Sequence, residues 1–170
     1  MVRNILNKIY IRIYENGKFL SRKNQYNNFR KKYNIANHFR FNGDNILFYG
    51  NGEIICGEGS YIGELSTVQA FDNCSVNIGK HCSISHNVRI YTQSRIPDQD
   101  FSKTNKIKTG NVIIEDYVWI GANVFINPNI TIGENSIIGA NSVITKNVPP
   151  FTIVGGVPAK IIRKKVLINA

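Results

Sequence analysis

Residues 114–149 read IEDYVW IGANVF INPNIT IGENSI IGANSV ITKNVP, six consecutive hexads that each begin with isoleucine. A helix repeats about every 3.6 residues and a strand every two, so neither places an aliphatic residue at every sixth position. A strand that turns a corner every six residues does. We predict a triangular coil in which each hexad forms one side and about eighteen residues form one rung of a stacked parallel β-helix.

Within each hexad, the leading isoleucine and the fifth residue are predicted to point into the coil. The leading residues are Ile114, Ile120, Ile126, Ile132, Ile138 and Ile144, and the fifth are Val118, Val124, Ile130, Ser136, Ser142 and Val148. The Gly or Asn directly after the leading position is predicted to permit the unusual backbone angles of a corner.

The pattern over residues 46–165 closely resembles the hexapeptide-repeat acyltransferases, a family of left-handed parallel β-helix proteins. The most specific segments are VWIGANVFINPNITIG (118–133) and ITKNVPPFTIVGGVPAKIIRK (144–164), which are similar to the closing rungs and tail of maltose, galactoside and polysaccharide O-acetyltransferases. The left hand is implied by this resemblance, because right-handed crossovers are the general rule. The predicted fold class is therefore all-β, a left-handed parallel β-helix.

The prediction divides the chain into three parts: a basic N-terminal capping segment (1–45), the coil (46–150) and a C-terminal tail (151–170) that covers the open end. An excursion loop over about 91–111 is expected to leave the coil, because Ser102 and Lys108 fall at interior positions there. Long loops in compact domains tend to be functional. The resemblance implies that this loop reaches toward a neighbouring subunit and helps to form the acceptor site.

The positive charge lies mostly in the N-terminal segment. The net charge is +10, and residues 1–40 hold ten Lys or Arg and one Glu, so residues 41–170 are nearly neutral. Three interpretations remain open: contact with anionic lipid or a lipid-linked phosphosugar, nucleic-acid binding, and a solvated cap over the first rung. Ile5, Ile9 and Ile13 have helical spacing, Ile9, Ile11 and Ile13 alternate as in a strand, and Glu15–Lys18 is a turn signal.

The predicted location is the cytoplasm, with peripheral contact at the inner membrane surface through the basic segment. Cys56, Cys74 and Cys82 show no paired spacing, which indicates reduced thiols that fill the core. The N-terminal segment lacks the cleavage site of a signal peptide, and no apolar run reaches the ~20 residues that span a bilayer.

Acyl transfer from a thioester needs a base for the acceptor proton, and histidine is the usual base near neutral pH. Of the three histidines, His38 lies in the N-terminal segment, while His81 and His86 lie in the rungs before the loop. His86 is predicted to face outward near a corner, since its hexad neighbours Ile84 and Val88 point inward. We predict His86 as the catalytic base, with His81 as the alternative.

At one position this sequence differs from the family that it resembles. Maltose and galactoside acetyltransferases carry their base in the loop after this strand, in a Thr-His or His-x-His context, whereas this chain has no histidine over residues 91–95. Either His86 takes the role, oriented by Asn87 or by a loop acid (Asp98 or Asp100), or the chemistry has been lost.

The resemblance implies the acyl-donor site residue by residue. The matching residues are Trp119 beside the acceptor pocket, Gly121, Ala122, Gly139 and Ala140 along the pantetheine arm, Thr145 and Lys146 near adenosine, and Lys160 and Arg163 at the phosphates of coenzyme A. Rung packing for Trp119 and solvation for the tail cations are the structural alternatives.

The sequence therefore favours an acetyl-CoA-dependent O-acetyltransferase that acts on a sugar hydroxyl in surface polysaccharide biosynthesis. The expected assembly is a homotrimer, with acetyl-CoA as co-substrate, no metal and no nucleic acid. Three alternatives remain: a sugar N-acetyltransferase, a non-catalytic trimeric scaffold, and a γ-type carbonic anhydrase. The last matches the His81–His86 spacing but needs a third zinc ligand, for which only His38 remains.

Overall fold

The computed structural model describes residues 2–167, with side chains from residue 4 onward. It forms two compact units that divide between Lys32 and Tyr33. The first unit is a helix and the second is a coil of short strands.

Helix α1 spans Val2–Lys32 without interruption. The helical spacing of its isoleucines is confirmed, and the turn predicted at Glu15–Lys18 is wrong. A single Gly17 costs a helix only about 1 kcal/mol relative to alanine, so it does not by itself end a helix of 31 residues. Arg30, Lys31 and Lys32 lie in the last turn, where cations interact favourably with the helix dipole. Within the described residues, no helix is both long and apolar enough to cross a membrane.

The second unit consists of short strands. Those within the described residues are β1 (Asn34–Ile35), β2 (Arg40–Asn42), β3 (Leu47–Tyr49), β4 (Glu53–Cys56), β5 (Tyr61–Gly63), β6 (Thr67–Gln69), β7 (Ser75–Ile78), β8 (Ser83–Ile84), β9 (Arg89–Tyr91), β10 (Gln93–Arg95), β11 (Ile107–Thr109), β12 (Val112–Ile114), β13 (Trp119–Ile120), β14 (Phe125–Ile126), β15 (Ile130–Ile132), β16 (Ile137–Ile138), β17 (Val143–Ile144), β18 (Thr152–Gly155) and β19 (Lys160–Lys164).

These strands stack into three sheets that form the sides of the coil. Sheet 1 has the order β1-β4-β7-β12-β15, sheet 2 the order β2-β5-β8-β13-β16-β18-β19, and sheet 3 the order β3-β6-β9-β14-β17. Every pairing in them is parallel except that of β18 with β19. The predicted β-helix is confirmed, preceded by one helix, and the arrangement fits the left-handed form. The chain passes from sheet 1 to sheet 2 at the 1/2 corner and from sheet 2 to sheet 3 at the 2/3 corner.

The interior is the predicted isoleucine ladder. All six leading isoleucines are at most 1% exposed, and the six residues at the fifth position are at most 5% exposed. Two of the latter are serines whose hydroxyls each make two hydrogen bonds, at least one of them to the next rung. Ser136 Oγ donates to Pro149 O (2.8 Å) and accepts from Thr152 N (3.2 Å). Ser142 Oγ donates to Gly139 O (2.6 Å) and accepts from Gly156 N (3.0 Å). Buried hydroxyls therefore connect the rungs without leaving unpaired polar atoms.

The buried ladder predicts that alanine substitutions at two isoleucines, one inside the coil and one outside, differ strongly in their effect on stability. We expect Ile126→Ala to lower the free energy of unfolding by about 2–5 kcal/mol, because a fully buried side chain leaves a cavity between two stacked rungs. Ile113→Ala is the matched control, since Ile113 is 38% exposed on the outer side of β12, and it should cost about 1 kcal/mol or less. Urea unfolding measures both, and equal losses would contradict the inward orientation of the hexad leader.

The corners differ from the prediction. Positive φ angles occur at the fourth position of five of the six hexads, at Tyr117 (59°), Asn123 (60°), Asn129 (63°), Asn135 (57°) and Asn141 (58°), where asparagine tolerates the left-handed region. The glycines directly after the leading isoleucine serve another purpose, so their predicted role in the corner angle is wrong. A Cβ on Gly121 would lie 2.6 Å from Ala140 N, and one on Gly133 would lie 2.4 Å from Pro150 N. These glycines allow close approach between rungs.

The first rungs begin before residue 46, the boundary expected from the hexads. Strands β1 and β2 already pair in parallel with β4 and β5. Their core is aromatic: Phe39 is 1% exposed, and the rings of Phe39 and Phe48 lie 5.3 Å from that of Phe41 on either side. Because phenylalanines replace the isoleucine ladder here, the hexad pattern does not mark these rungs.

The segment between β9 and β12 leaves the coil as an antiparallel hairpin of β10 and β11. Its tip is internally bonded: Gln99 Oε1 accepts from Lys106 N (2.7 Å), and Lys103 Nζ lies 3.0 Å from Asp100 Oδ2. At the other end of the chain, β18 stacks on β16 as a further rung, and β19 folds back along β18.

Candidate active site

Five of the predicted residues lie on one edge of the coil. Ser85 N donates to Ile120 O (2.9 Å), Gly121 N to Ile138 O (2.8 Å) and Gly139 N to Val154 O (2.8 Å). The next residues, His86, Ala122 and Ala140, therefore occupy the same place in successive rungs at the 2/3 corner. We call these three residues, with Gly121 and Gly139 beside them, the site column.

An asparagine ladder runs beside the site column. Asn87 Nδ2 donates to Asn123 Oδ1 (2.9 Å), and Asn123 Nδ2 donates to Asn141 Oδ1 (2.9 Å). All three asparagines have positive φ angles. The carboxamide of Asn87, which was predicted to orient His86, bonds to Asn123 and so fixes the corner that presents His86. Sequence reasoning missed Asn123 and Asn141, although asparagine recurs at the fourth hexad position and could have indicated them.

The main chain of the site column differs from that of the neighbouring corner. At the 1/2 corner, two of the equivalent amides are capped by side chains: Lys80 N donates to Asp116 Oδ1 and Glu134 N to Glu115 Oε2, both at 2.7 Å. The amide of Asp116 has no such cap among the described residues. At the 2/3 corner the equivalent side chains are methyl groups. Among the described residues, the amides of Ala122 and Ala140 make no hydrogen bond. The site column therefore offers two main-chain donors that a narrow ligand lying along it could use.

The imidazole of His86 is exposed on this column, and the other two histidines lie elsewhere. His81 is at the 1/2 corner, with its ring stacked on that of Tyr117 (centroids 5.3 Å apart, planes at 11°). His38 Nε2 lies 3.6 Å from Glu58 Oε1. The pair His81 and His86, which matched a zinc site by spacing, is thus divided between two corners. Within residues 2–167, no group of three or more His, Cys, Asp or Glu residues could hold a metal ion.

The loop acid Asp100 is engaged within its own hairpin. Its Oδ1 accepts from Ser102 Oγ (2.7 Å) and Ser102 N (3.0 Å), and its Oδ2 meets Lys103 Nζ. These hydrogen bonds, that from the Ser102 hydroxyl first, lower the pKa of the Asp100 carboxyl. The carboxylate therefore stabilises the hairpin tip in this structure.

The cysteines fill the core, as predicted. Cys56, Cys74 and Cys82 are free and buried. Cys82 Sγ donates to Glu115 O (3.0 Å), and burial raises the pKa of its thiol to about 11. A thiol that is neutral at physiological pH is a poor nucleophile, so Cys82 does not provide an acyl-enzyme route.

Beyond the site column the chain leads to a cleft of about 360 Å³. Three predicted residues line it together: Thr145, Lys146 and Lys160. Gly155 and Gly156 continue the site column by one rung, since they follow Val154, which pairs with Ile138, just as Gly139 and Ala140 follow Ile138. From there the chain runs on to Pro158 and Ala159 in the cleft wall. Sequence reasoning did not include this glycine pair.

Two predicted donor residues lie outside that cleft. Trp119 is 55% exposed on β13, two residues before Gly121. Arg163 lies on β19 opposite Ile153 and is exposed.

A larger cleft of about 520 Å³ lies along the outer side of sheet 1 and contains none of the predicted residues. Its walls include Glu115 and Asp116, whose carboxylates cap main-chain amides of the neighbouring rungs. These acids act in the fold, and we place the candidate site at the 2/3 corner instead.

Comparison with known proteins decides the family. Residues 111–146 match the bacterial transferase hexapeptide model (six repeats). The structure superimposes with a TM-score of 0.75 on a hexapeptide-repeat-containing acetyltransferase of Vibrio cholerae O1 biovar eltor, solved in complex with acetyl coenzyme A. That match has 31% identity and covers 85% of this chain and 78% of the other. The chain belongs to the hexapeptide-repeat acyltransferases.

Two curated members of this family are also similar. Polysialic acid O-acetyltransferase of Escherichia coli O1:K1 / APEC is 40% identical over 124 residues, which are 68% of this chain and 40% of that protein. Galactoside O-acetyltransferase of E. coli K12 is 38% identical over 93 residues, which are 55% of this chain and 46% of that protein. The chain thus spans less than half the length of these two relatives.

Proposed function

We propose that this hexapeptide-repeat protein is an acetyl-CoA-dependent O-acetyltransferase whose acceptor is a sugar hydroxyl. The observation that carries the proposal is the column of His86, Ala122 and Ala140 at one corner, from which the chain leads through Gly155 and Gly156 to the cleft lined by Lys146 and Lys160. It combines a base, main-chain donors and cations in the order that a long acyl thioester would need.

The donor would lie along the site column. Acetyl-CoA, when bound, supplies an activated acetyl group as a thioester. Its pantetheine arm is narrow and amide-rich, which fits the part of the column where Gly121, Ala122, Gly139 and Ala140 present small side chains and the uncapped amides of the two alanines. Its phosphates would meet the ammonium groups of Lys146 and Lys160 at the cleft, with Arg163 nearby on β19, since cations and phosphates form strong charge-assisted hydrogen bonds.

The imidazole of His86 would act at the other end of the column. It takes the proton of the acceptor hydroxyl as the oxygen attacks the thioester carbonyl, and it can return that proton to the leaving thiolate. Asn87 holds the corner through its bond to Asn123 and so fixes the direction in which His86 projects. Trp119 offers an exposed aromatic face near the same edge, on which a sugar ring could pack.

The sugar acceptor is supported by the two O-acetyltransferases whose names specify a polysialic acid and a galactoside. We propose a glycan or glycan precursor of a surface polysaccharide as the acceptor. The proposal includes a homotrimer in which the β10–β11 hairpin reaches a neighbouring subunit's site. It also includes a cytoplasmic location with peripheral contact at the inner membrane surface.

The test is thiol release from acetyl-CoA in the presence of a panel of sugars. We expect release to require a sugar with a free hydroxyl and the product to carry an acetyl ester, identified by mass and by its lability in mild base. Acetyl transfer that occurs only with amino sugars would assign N-acetylation instead. Binding of acetyl-CoA without transfer to any member of the panel would support the non-catalytic alternative.

A further inference from the structure

Helix α1 carries an apolar stripe that is exposed along its N-terminal two thirds. The residues of this stripe are Ile5, Leu6, Ile9, Ile13 and Leu20, each between 48% and 63% exposed. At 3.6 residues per turn they fall within an arc of about 100°, the width of the buried side of an ordinary amphipathic helix. On other helices, an apolar stripe of this width packs against another apolar surface.

The charges of α1 are arranged around the stripe. Between residues 4 and 32 there are eight Lys or Arg and a single acid, Glu15. By the same helical geometry, Lys8 and Arg12 lie along one side of the stripe, and Lys23 and Lys31 continue its line beyond Leu20. Because the rest of the chain is nearly neutral, the helix carries most of the positive charge of the protein.

This charge favours one occupant over another. A second copy of α1 against the stripe would bring two strongly cationic helices together, and like charges at close range repel. An anionic bilayer accepts both features, since its acyl chains take up apolar side chains and its headgroups attract lysine and arginine. No described helix can cross the bilayer, so α1 would lie in the plane of its surface.

We propose that α1 binds the surface of anionic membranes, with its stripe of Ile5, Leu6, Ile9, Ile13 and Leu20 inserted and its cations at the headgroups. This inference specifies the peripheral location that belongs to the proposed function, and it does not depend on acetyl transfer. It brings the enzyme to a surface where acceptors linked to lipid are concentrated.

The experiment is co-sedimentation of the full chain with vesicles of phosphatidylcholine alone, or with about one third phosphatidylglycerol added, in the absence of any substrate. We expect binding to the anionic vesicles, weaker binding at higher salt, and little binding to neutral vesicles. Changing Lys8 and Arg12 together to glutamine should weaken binding roughly fivefold for each charge.

Two isoleucines provide the matched test of the stripe. Ile9 lies on it and Ile11 lies on the opposite side, and the two are 49% and 62% exposed. Ile9→Ser is expected to weaken vesicle binding roughly tenfold and Ile11→Ser less than twofold, because only Ile9 loses contact with the acyl chains. Ile9→Leu, which keeps an apolar side chain at this position, should bind vesicles as the unchanged protein does. Circular dichroism checks that both serine variants keep their helix.

Equal weakening by the two serine variants would overturn the inferred orientation, and equal binding to neutral and anionic vesicles would overturn the role of charge. A lower oligomer mass for Ile9→Ser without lipid would assign the stripe to a second copy of the chain. Acetyl transfer to a free sugar should be unchanged in all these variants, so failure of membrane binding is distinguishable from failure of the proposed function.

Discussion

Replacement of His86 by alanine is expected to lower kcat for acetyl transfer by about 10²- to 10⁴-fold, the range that a positioned general base contributes. His86 is the histidine at the 2/3 corner, where its imidazole is exposed in line with the uncapped amides of Ala122 and Ala140. The Kd for acetyl-CoA should change little, because in the proposed site the donor is held by main-chain amides and by the cations of the cleft, not by His86. Initial rates of thiol release and a separate binding titration measure the two effects.

His81→Asn is the control for this experiment. His81 has a positive φ (54°) at the 1/2 corner, where asparagine is well tolerated, and its ring packs on Tyr117. We expect its kcat to stay within about threefold of the unchanged protein. If His86→Ala kept full turnover while His81→Asn lost it, the base would be wrongly assigned, although the fold and the family would stand.

Ala140→Leu is expected to lower kcat/KM for acetyl-CoA by about 100-fold with little change in stability. The larger side chain would occupy the path of the pantetheine arm beside the Ala140 amide, and a steric cost of about 2–3 kcal/mol on donor binding corresponds to that factor. The main effect should be a higher KM, because donor binding is obstructed while His86 is unchanged. Steady-state kinetics at varied acetyl-CoA concentrations measure it.

The matched control places the same side chain at another corner. Glu134 is the third residue of its hexad, as Ala140 is, but it lies at the 1/2 corner and is exposed. Glu134→Leu is expected to leave KM for acetyl-CoA within about twofold. Similar losses in both leucine variants would mean that the 2/3 corner has no special role in donor binding.

The sequence predicted the regular rungs because their chemistry repeats. Isoleucine at every sixth position has one consistent geometric explanation, and the buried ladder from Ile114 to Ile144 agrees with it. The prediction began the coil at residue 46, after its first two strands. It did so because Phe39 and Phe48, rather than isoleucines, fill the interior of the first rungs. The turn predicted at Glu15–Lys18 is absent because one glycine costs a helix only about 1 kcal/mol, and the helix continues through it.

The site was only partly readable from spacing. Ala122 and Ala140 are eighteen residues apart, which is one rung, and they stack as expected. His86 and Ala122 are thirty-six residues apart but also lie in adjacent rungs, since Ile84 pairs directly with Ile120. The β10–β11 hairpin bonds to itself and takes up the length of a whole rung, so the hexad register continues while one turn of the coil is missing.

The sequence alone could not predict that main-chain amides are capped by side chains at the 1/2 corner and uncapped at Ala122 and Ala140. It depends on where side chains of one rung meet amides of the next, as Asp116 meets Lys80 N, and on the absence of such a partner at alanine. A sequence shows that Ala122 and Ala140 are small, whereas the structure adds that their amides are uncapped.

A crystal structure with coenzyme A bound tests the central claim most directly. The account predicts the pantetheine arm along Ala122 and Ala140, the phosphates near Lys146 and Lys160, and the sulfur within reach of the His86 imidazole. Coenzyme A found along sheet 1 or at the 1/2 corner, with its sulfur distant from His86, would contradict it.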